Sequence, residues 1–312
     1  MKKIAACVLV IFLLSCNFLD PDEPGNLVRK TVDEDASLPS ISINNTKLHL
    51  ETFGDPANTV AIFLHGGPGG DYRGLLRLKP LQDSYFCVFF DQRGAGLSRR
   101  HDAADINITN YIRDLDAIIE RFSPGRKVFL IGWSWGAQYA SAYISKHPSK
   151  VRGAVLLGPG PFTQDIADTV ETIQIDLNAI WLNNYIWNNE FISQDSHVRM
   201  DYSAALGIKD TAPGYNMSET DFMKTWRFGA VVLYTFEVAT DKNYTTGLSA
   251  YTGNALFMRG GLNSIFSDAY VRNEMRFYNN TQLITIAGAG HDFIWVKANE
   301  TLAGIRPFLA AN

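Results

Sequence analysis

Residues 132–136 read GWSWG, a serine between two glycines, set after the apolar run at 128–131 and before the helix-like stretch AQYASAYISKHP. Strand, then serine, then helix is the order that lifts a hydroxyl out of a sheet on a strained turn, which is how a serine nucleophile is presented. Glycine is needed at 132 and 136 because a Cβ there collides with the neighbouring strand and helix. The hydroxyl of Ser134 is a weak nucleophile at neutral pH and needs a base beside it. Of the six histidines, His291 is the candidate, in GAGH just after the apolar run at 283–286. His65 opens a glycine-rich turn and reads as a support for that loop. His101 lies in a polar stretch and reads as a surface residue, while His49, His147 and His197 have no motif around them.

Two further segments precede the serine. Residues 65–70 read HGGPGG after the apolar run at 60–64, and residues 91–98 read DQRGAGLS after the run at 86–90. With GWSWG they resemble the α/β-hydrolase fold family, and within it the proline iminopeptidase branch of the serine peptidases, where HGGPG and a DQRGxGxS run precede GxSWG. The resemblance covers about residues 40–160 and 255–311, including KHPSKVRGAVLLG at 146–158 and GAGH at 288–291. It implies a mostly parallel eight-stranded sheet flanked by helices, an inserted helical cap, and a triad in the order serine first, histidine last. It also implies an oxyanion hole built from the Trp135 backbone N–H and that of Gly66 or Gly67. Asp91, Gln92 and Arg93 then form mainly a structural turn near the site.

The third triad position departs from the family pattern. That family carries an aspartate three residues after a glycine at the end of the seventh strand; in ALFMRGGLNSIFSDAY the position is Asn263. An asparagine can accept a hydrogen bond from an imidazole and hold it in place, but it cannot stabilise the imidazolium by charge. The equivalent change in a serine protease costs about four orders of magnitude in turnover. Asp268 is the fallback acid, although it also reads as a cap for a helix over 269–275; Asp292 follows His291 directly and would point away from it.

For substrate binding, the family uses cap carboxylates against an α-ammonium group, since a buried cation needs an anion. Glu237 resembles one of these, with Glu190 and Glu219 as further possibilities. Trp226, with Trp181, Trp187 and Phe228, can line an apolar pocket or form the cap's own core. Three readings follow: an aminopeptidase like the proline iminopeptidases, an ester or lactone hydrolase of the same fold, and a catalytically lapsed lipoprotein that binds a ligand.

These residues need a scaffold, and the pattern supplies one. Residues 41–53 alternate as a hairpin turning at 44–46. The continuous apolar runs at 60–64, 86–90, 128–131, 151–157, 255–258 and 283–286 are those of a parallel sheet buried on both faces. The core occupies 41–161 and 254–312, and residues 162–253, rich in Trp, Tyr and Asn, form the helical cap. Lys2, Lys3 and a short apolar stretch ending LLSC resemble a bacterial lipoprotein signal over 1–16. Cys16 is then diacylated, and the protein is anchored to a membrane of the cell envelope. Residues 17–40, acidic and proline-bearing, read as a flexible tether. Cys87, among Phe86, Val88 and Phe89, reads as a buried strand residue. A chain of 312 residues that is 46% hydrophobic can bury one large core with a cap. Its net charge of −4 and lack of a basic stripe argue against nucleic acid. No metal or organic cofactor is expected, and the substrate is a small molecule or short peptide.

Overall fold

The computed structural model describes residues 28–167, 194–205, 229–231, 234 and 243–312. Eight strands form one sheet: β1 (Ser40–Ile43), β2 (Thr46–Phe53), β3 (Val60–Leu64), β4 (Phe86–Phe90), β5 (Val128–Trp133), β6 (Val151–Leu157), β7 (Asn254–Gly260) and β8 (Asn280–Ile286). Their order is β1-β2-β4-β3-β5-β6-β7-β8. The β1–β2 and β2–β4 pairs are antiparallel and every other pair is parallel. The expected α/β-hydrolase fold is therefore the one observed. The hairpin turns through Asn44 and Asn45, both at positive φ, as a two-residue connection between right-twisted strands requires.

Every residue of β3 and β4 is buried, because both faces of the sheet are covered. Val60, Ile62 and Leu64 point into the core shared with α1 (Ile108–Phe122) and α2 (Trp135–Lys146). Ala61 and Phe63 point into the opposite core, which is closed by α5 (Phe293–Val296) and α6 (Ala298–Ala311). Strand periodicity of two explains the split, and coverage on both sides explains why the runs are apolar without interruption. Cys87 is buried within β4 and its thiol is pushed up to about 12 by that burial, so it is chemically inert.

The registers bring the functional loops together. Leu64 pairs with Gly132, Trp133 with Leu157, Leu157 with Met258, and Gly260 with Ile286. The loops after β3, β5, β6, β7 and β8 thus leave the same carboxyl edge of the sheet, where open α/β sheets bind ligands.

Residues 28–39, expected as part of the tether over 17–40, are packed instead. Val32 is buried, its N–H donates to the Leu97 carbonyl at 2.8 Å, and its own carbonyl accepts from Lys47 Nζ at 2.6 Å. Arg99 grips both carboxylate oxygens of Asp33 at 2.7 and 2.8 Å. The acidic segment is held here by the main chain of Val32, bound to Leu97 and Lys47, with Arg99 of the DQRGAGLSRR turn pairing Asp33 at the surface. Residues 1–27, including Cys16, lie outside the described residues. Of the expected cap, α3 (Ser196–Ala205) and the short stretches around it are described. Arg100 holds Asp201 at 3.1 Å, and Asp201 accepts the Gly229 N–H at 2.8 Å. His197 takes the Ala230 N–H on Nδ1 and donates from Nε2 to the His101 carbonyl, at 2.9 and 3.1 Å. Cap and core are therefore joined through the same turn. No helix among the described residues is long and apolar enough to cross a membrane.

Candidate active site

Ser134 stands between β5 and α2 at φ 54, ψ −117, in the left-handed half of backbone space where a non-glycine residue is strained. The turn is held by the Ser134 N–H donating to the Leu157 carbonyl at 2.8 Å, and by Ala137 donating back to the Ser134 carbonyl at 3.0 Å. The flanking glycines have the expected cause. A Cβ on Gly132 would overlap the Gly136 carbonyl, and one on Gly136 would overlap the Leu64 carbonyl.

The HGGPGG loop lies beside this turn because β3 neighbours β5. His65 is fully buried and has no catalytic access: Nδ1 donates to the Gly66 carbonyl at 2.9 Å and Nε2 accepts the Gln92 N–H at 3.0 Å. Both nitrogens are committed in the neutral form, and burial lowers the pKa of the ring. Gln92 completes the brace, its side chain donating to the His65 carbonyl and accepting from Trp135 Nε1, both at 2.9 Å. The glycine loop, the turn after β4 and Trp135 thus form one hydrogen-bonded unit. Asp91 spends its carboxylate on the N–H groups of Tyr72 and Leu97 and on His49. Arg93 is locked on Asp114 at 2.8 and 2.9 Å. All three residues of the DQR run are structural.

His291 follows β8 and is 5% exposed. Its ring lies over Gly158, where an added Cβ would stand 2.9 Å from Nδ1. Trp133 packs against it with ring centroids 5.1 Å apart and donates from Nε1 to the His291 carbonyl at 3.2 Å. Phe266 meets the ring edge-on at 5.1 Å. Burial pushes the imidazole down to about 3.

Asn263 does sit at the third position, with Nδ2 3.3 Å from His291 Nδ1. Its orientation differs from the expectation that the amide oxygen faces the imidazole. Oδ1 accepts the Phe266 N–H at 3.0 Å, and a main-chain N–H can only donate. The NH2 group is therefore the end that faces the ring, Nδ1 must be the acceptor, and the neutral imidazole carries its proton on Nε2. Arg259 fixes this loop by donating to the Phe266 and Asn263 carbonyls, each at 2.9 Å.

The fallback acid is elsewhere. Asp268 is the first residue of α4 (Asp268–Met275), half-exposed and paired with Arg272 at 2.6 Å, while Ser267 provides the cap. Its carboxylate is turned to solvent and does not back His291. Glu237, Glu190, Glu219, Trp226, Trp181, Trp187 and Phe228 lie outside the described residues. Trp133, Phe266 and Arg259 were not singled out in the sequence, nor was the His49–Asp91 pair at 2.9 Å. Only for Trp133 was there a signal, its place inside GWSWG. His101 is not a surface residue: its side chain is 8% exposed and bonds Thr46 at 2.8 Å.

Comparison with known proteins bears on the fold that carries these residues. Over 154 residues the chain is 36% identical to a proline iminopeptidase of Arabidopsis thaliana, a match covering 47% of this chain and 40% of that protein. Over 126 residues it is 28% identical to a cis-3-alkyl-4-alkyloxetan-2-one decarboxylase of Shewanella oneidensis, covering 39% of this chain and 38% of that one. These matches span less than half the length of either relative. The crystal structure of a proline iminopeptidase from Mycobacterium smegmatis superposes with a TM-score of 0.61 at 16% identity, covering 88% of this chain and 100% of that one. The family model described as alpha/beta hydrolase fold matches residues 60–298, and the chain belongs to that family.

Proposed function

We propose that this protein is a serine hydrolase that cleaves an acyl bond, and that it acts in the manner of the proline iminopeptidases. The observation that carries the reading is Ser134, strained at φ 54 on the turn between β5 and α2, with His291 brought to the same edge of the sheet. Ser134 Oγ attacks the substrate carbonyl and forms an acyl-enzyme. The oxyanion is received by the N–H of Trp135 and that of Gly66 or Gly67. His291 passes the serine proton to the leaving group, and water then releases the acid. With Nδ1 engaged by Asn263, Nε2 is the nitrogen that serves the serine.

The amide orientation makes this a slow version of that chemistry. To accept a proton on Nε2 the neutral ring must first move its own proton to Nδ1, where it meets the Asn263 NH2. Relief requires the amide to turn and abandon the Phe266 N–H. Asn263, being neutral, adds no charge to the imidazolium that forms.

For the substrate we favour short peptides or aminoacyl compounds, supported by the 36% identity to the Arabidopsis protein, with Glu237 and Trp226 as cap contacts. Ester or lactone hydrolysis is the second reading, favoured by the Shewanella relative, since an oxetan-2-one is a four-membered lactone. The LLSC run at 13–16 supports a diacylated Cys16 and a place in the bacterial envelope, which mass spectrometry of the membrane-extracted N-terminal peptide tests. A fluorophosphonate probe should label Ser134, and labelling that survives Ser134→Ala unchanged refutes the assignment. Aminoacyl-naphthylamides against short-chain nitrophenyl esters decide between the substrate classes.

A further inference from the structure

Two indoles flank Ser134, and they serve different neighbours. Trp135 turns into the core shared with α1, its Nε1 donating to Gln92 Oε1 at 2.9 Å and its ring meeting Tyr111 edge-on at 6.0 Å. Trp133 touches two working parts of the site at once. A Cβ added to Gly66 would stand 2.4 Å from its Cε3, so the indole lies against the oxyanion loop. To His291 it makes two contacts: the rings stand 5.1 Å apart with their planes 32° from parallel, and Nε1 donates to the main-chain carbonyl at 3.2 Å.

The ring geometry selects a face. Two rings side by side in one plane stand about 6 Å apart at van der Waals contact, so planes this near to parallel reach 5.1 Å only by overlapping. The imidazole therefore lies over the π face of the indole, not beside its rim. Trp295 helps to fix that pose: its ring meets Trp133 edge-on at 4.9 Å, and its own Nε1 is tied to the Gly74 carbonyl at 2.6 Å.

A tryptophan face attracts a cation, more strongly where water is excluded. A neutral imidazole gains only packing there, while an imidazolium gains the attraction of the ring quadrupole as well. His291 is buried, and a general base must hold the proton while it passes from the serine to the leaving group. The contact thus favours a state reached only during the reaction, which is the kind of interaction that raises turnover. Gly158, Phe266 and Asn263, the other neighbours described above, carry no charge. Asp292 adjoins His291 in the chain and Arg259 stands behind the Asn263 loop; neither is altered by a substitution at 133.

We infer that Trp133 is a positioning residue for the reaction: its face stabilises His291 as an imidazolium, and its edge keeps that ring in register with the oxyanion loop. This rests on the roles given above to Ser134 and His291. It gives the residue before the nucleophile a part in the general-base step.

Fluorophosphonate labelling of the detergent-solubilised full chain is followed from pH 5 to 8 in Trp133→Phe, which keeps a weaker π face, and Trp133→Leu, which keeps apolar bulk without one. At pH 7 Trp133→Leu should label about tenfold more slowly than the unmutated chain, and Trp133→Phe at least threefold faster than Trp133→Leu. In the Asn263→Asp background, where an ordinary histidine limb near pH 6.5 is expected, Trp133→Leu moves the limb down by about one pH unit and Trp133→Phe by less. A side chain that only fills space would lower the rate at every pH and leave the limb in place. Equal rates for the two variants overturn the inference, as does a limb that Trp133→Leu does not move. If Asn263→Asp does not fold, the ratio of the two variants decides alone, and Trp133→Met stands in for a Trp133→Leu that does not fold. Labelling that is absent from the unmutated chain, or that survives Ser134→Ala, overturns the hydrolase reading; labelling at Ser134 that does not distinguish the variants overturns this inference alone.

Discussion

Replacing Asn263 with aspartate puts a carboxylate oxygen where Nδ2 now stands, 3.3 Å from His291 Nδ1. The other oxygen keeps the Phe266 N–H, so the loop has no reason to move. The sign of the interaction with the ring then reverses. Nδ1 becomes the donor, Nε2 becomes the acceptor that a general base must be, and the imidazolium gains a partner. Unit charges at that separation attract by about 5 kcal/mol at an effective dielectric of about 20. Raising the proton affinity of His291 from about 3 to the ordinary 6.5 corresponds to about 5 kcal/mol as well. Only part of this is realised in the transition state, so turnover and fluorophosphonate labelling should rise by about 10- to 10³-fold, against a cost of about 10⁴ for the opposite change in a serine protease. The pH profile supplies a second readout. In the unmutated chain the histidine stays neutral far into the acid range, so the labelling rate shows no acid limb between pH 5 and 7. In Asn263→Asp a limb appears near pH 6.5, with activity lost below it as the base becomes protonated. A folded Asn263→Asp protein with unchanged labelling and no new limb would refute the tautomer argument.

The other expectations come from neighbouring features. Asp268→Asn should leave kcat/KM within about twofold and stability within about 0.5 kcal/mol, because its half-exposed pair with Arg272 is screened by water; abolished activity in a folded protein would move the acid there. The burial of His291 predicts that stability falls as pH drops from 6.5 towards about 3. In that window the unfolded chain binds a proton that the native state refuses, and urea titrations at pH 7 and 5 check the sign. Gly136→Ala should cost at least about 3 kcal/mol or prevent folding, since the added methyl overlaps the Leu64 carbonyl and must part β3 from α2; a soluble variant of unchanged midpoint would contradict the packing at the turn.

Much of the scaffold was legible because its rules are local. Short apolar runs set between turn-forming segments fit strands covered on both faces, and the runs at 60–64, 86–90 and 151–157 became β3, β4 and β6 with those bounds. The serine turn was equally readable, since the steric demand on Gly132 and Gly136 comes from backbone a few residues away. Features that depend on pairing across the chain were hidden. Val32 is buried because Leu97 and Lys47, far along the sequence, bind its main chain. His101 leaves the surface because its ring bonds the Thr46 hydroxyl. Composition around either residue says the opposite.

Asn263 shows where such reading stops. Its position followed from counting past a glycine, and the structure puts it against the histidine. Whether it supports a base or opposes one depends on which end of the amide faces the ring, and residue type is silent on that because the two ends are nearly the same size. The decision belongs to the Phe266 N–H, a group that every residue except proline possesses and that no side-chain pattern reveals. Arg259 then holds the turn that aims this N–H, from the end of an apolar strand where a charge looks like an interruption. An aspartate would have been indifferent to that donor, since either of its oxygens can face the imidazole. The asparagine is not, so a single main-chain hydrogen bond sets the tautomer of His291, and with it the expected slowness of the chemistry.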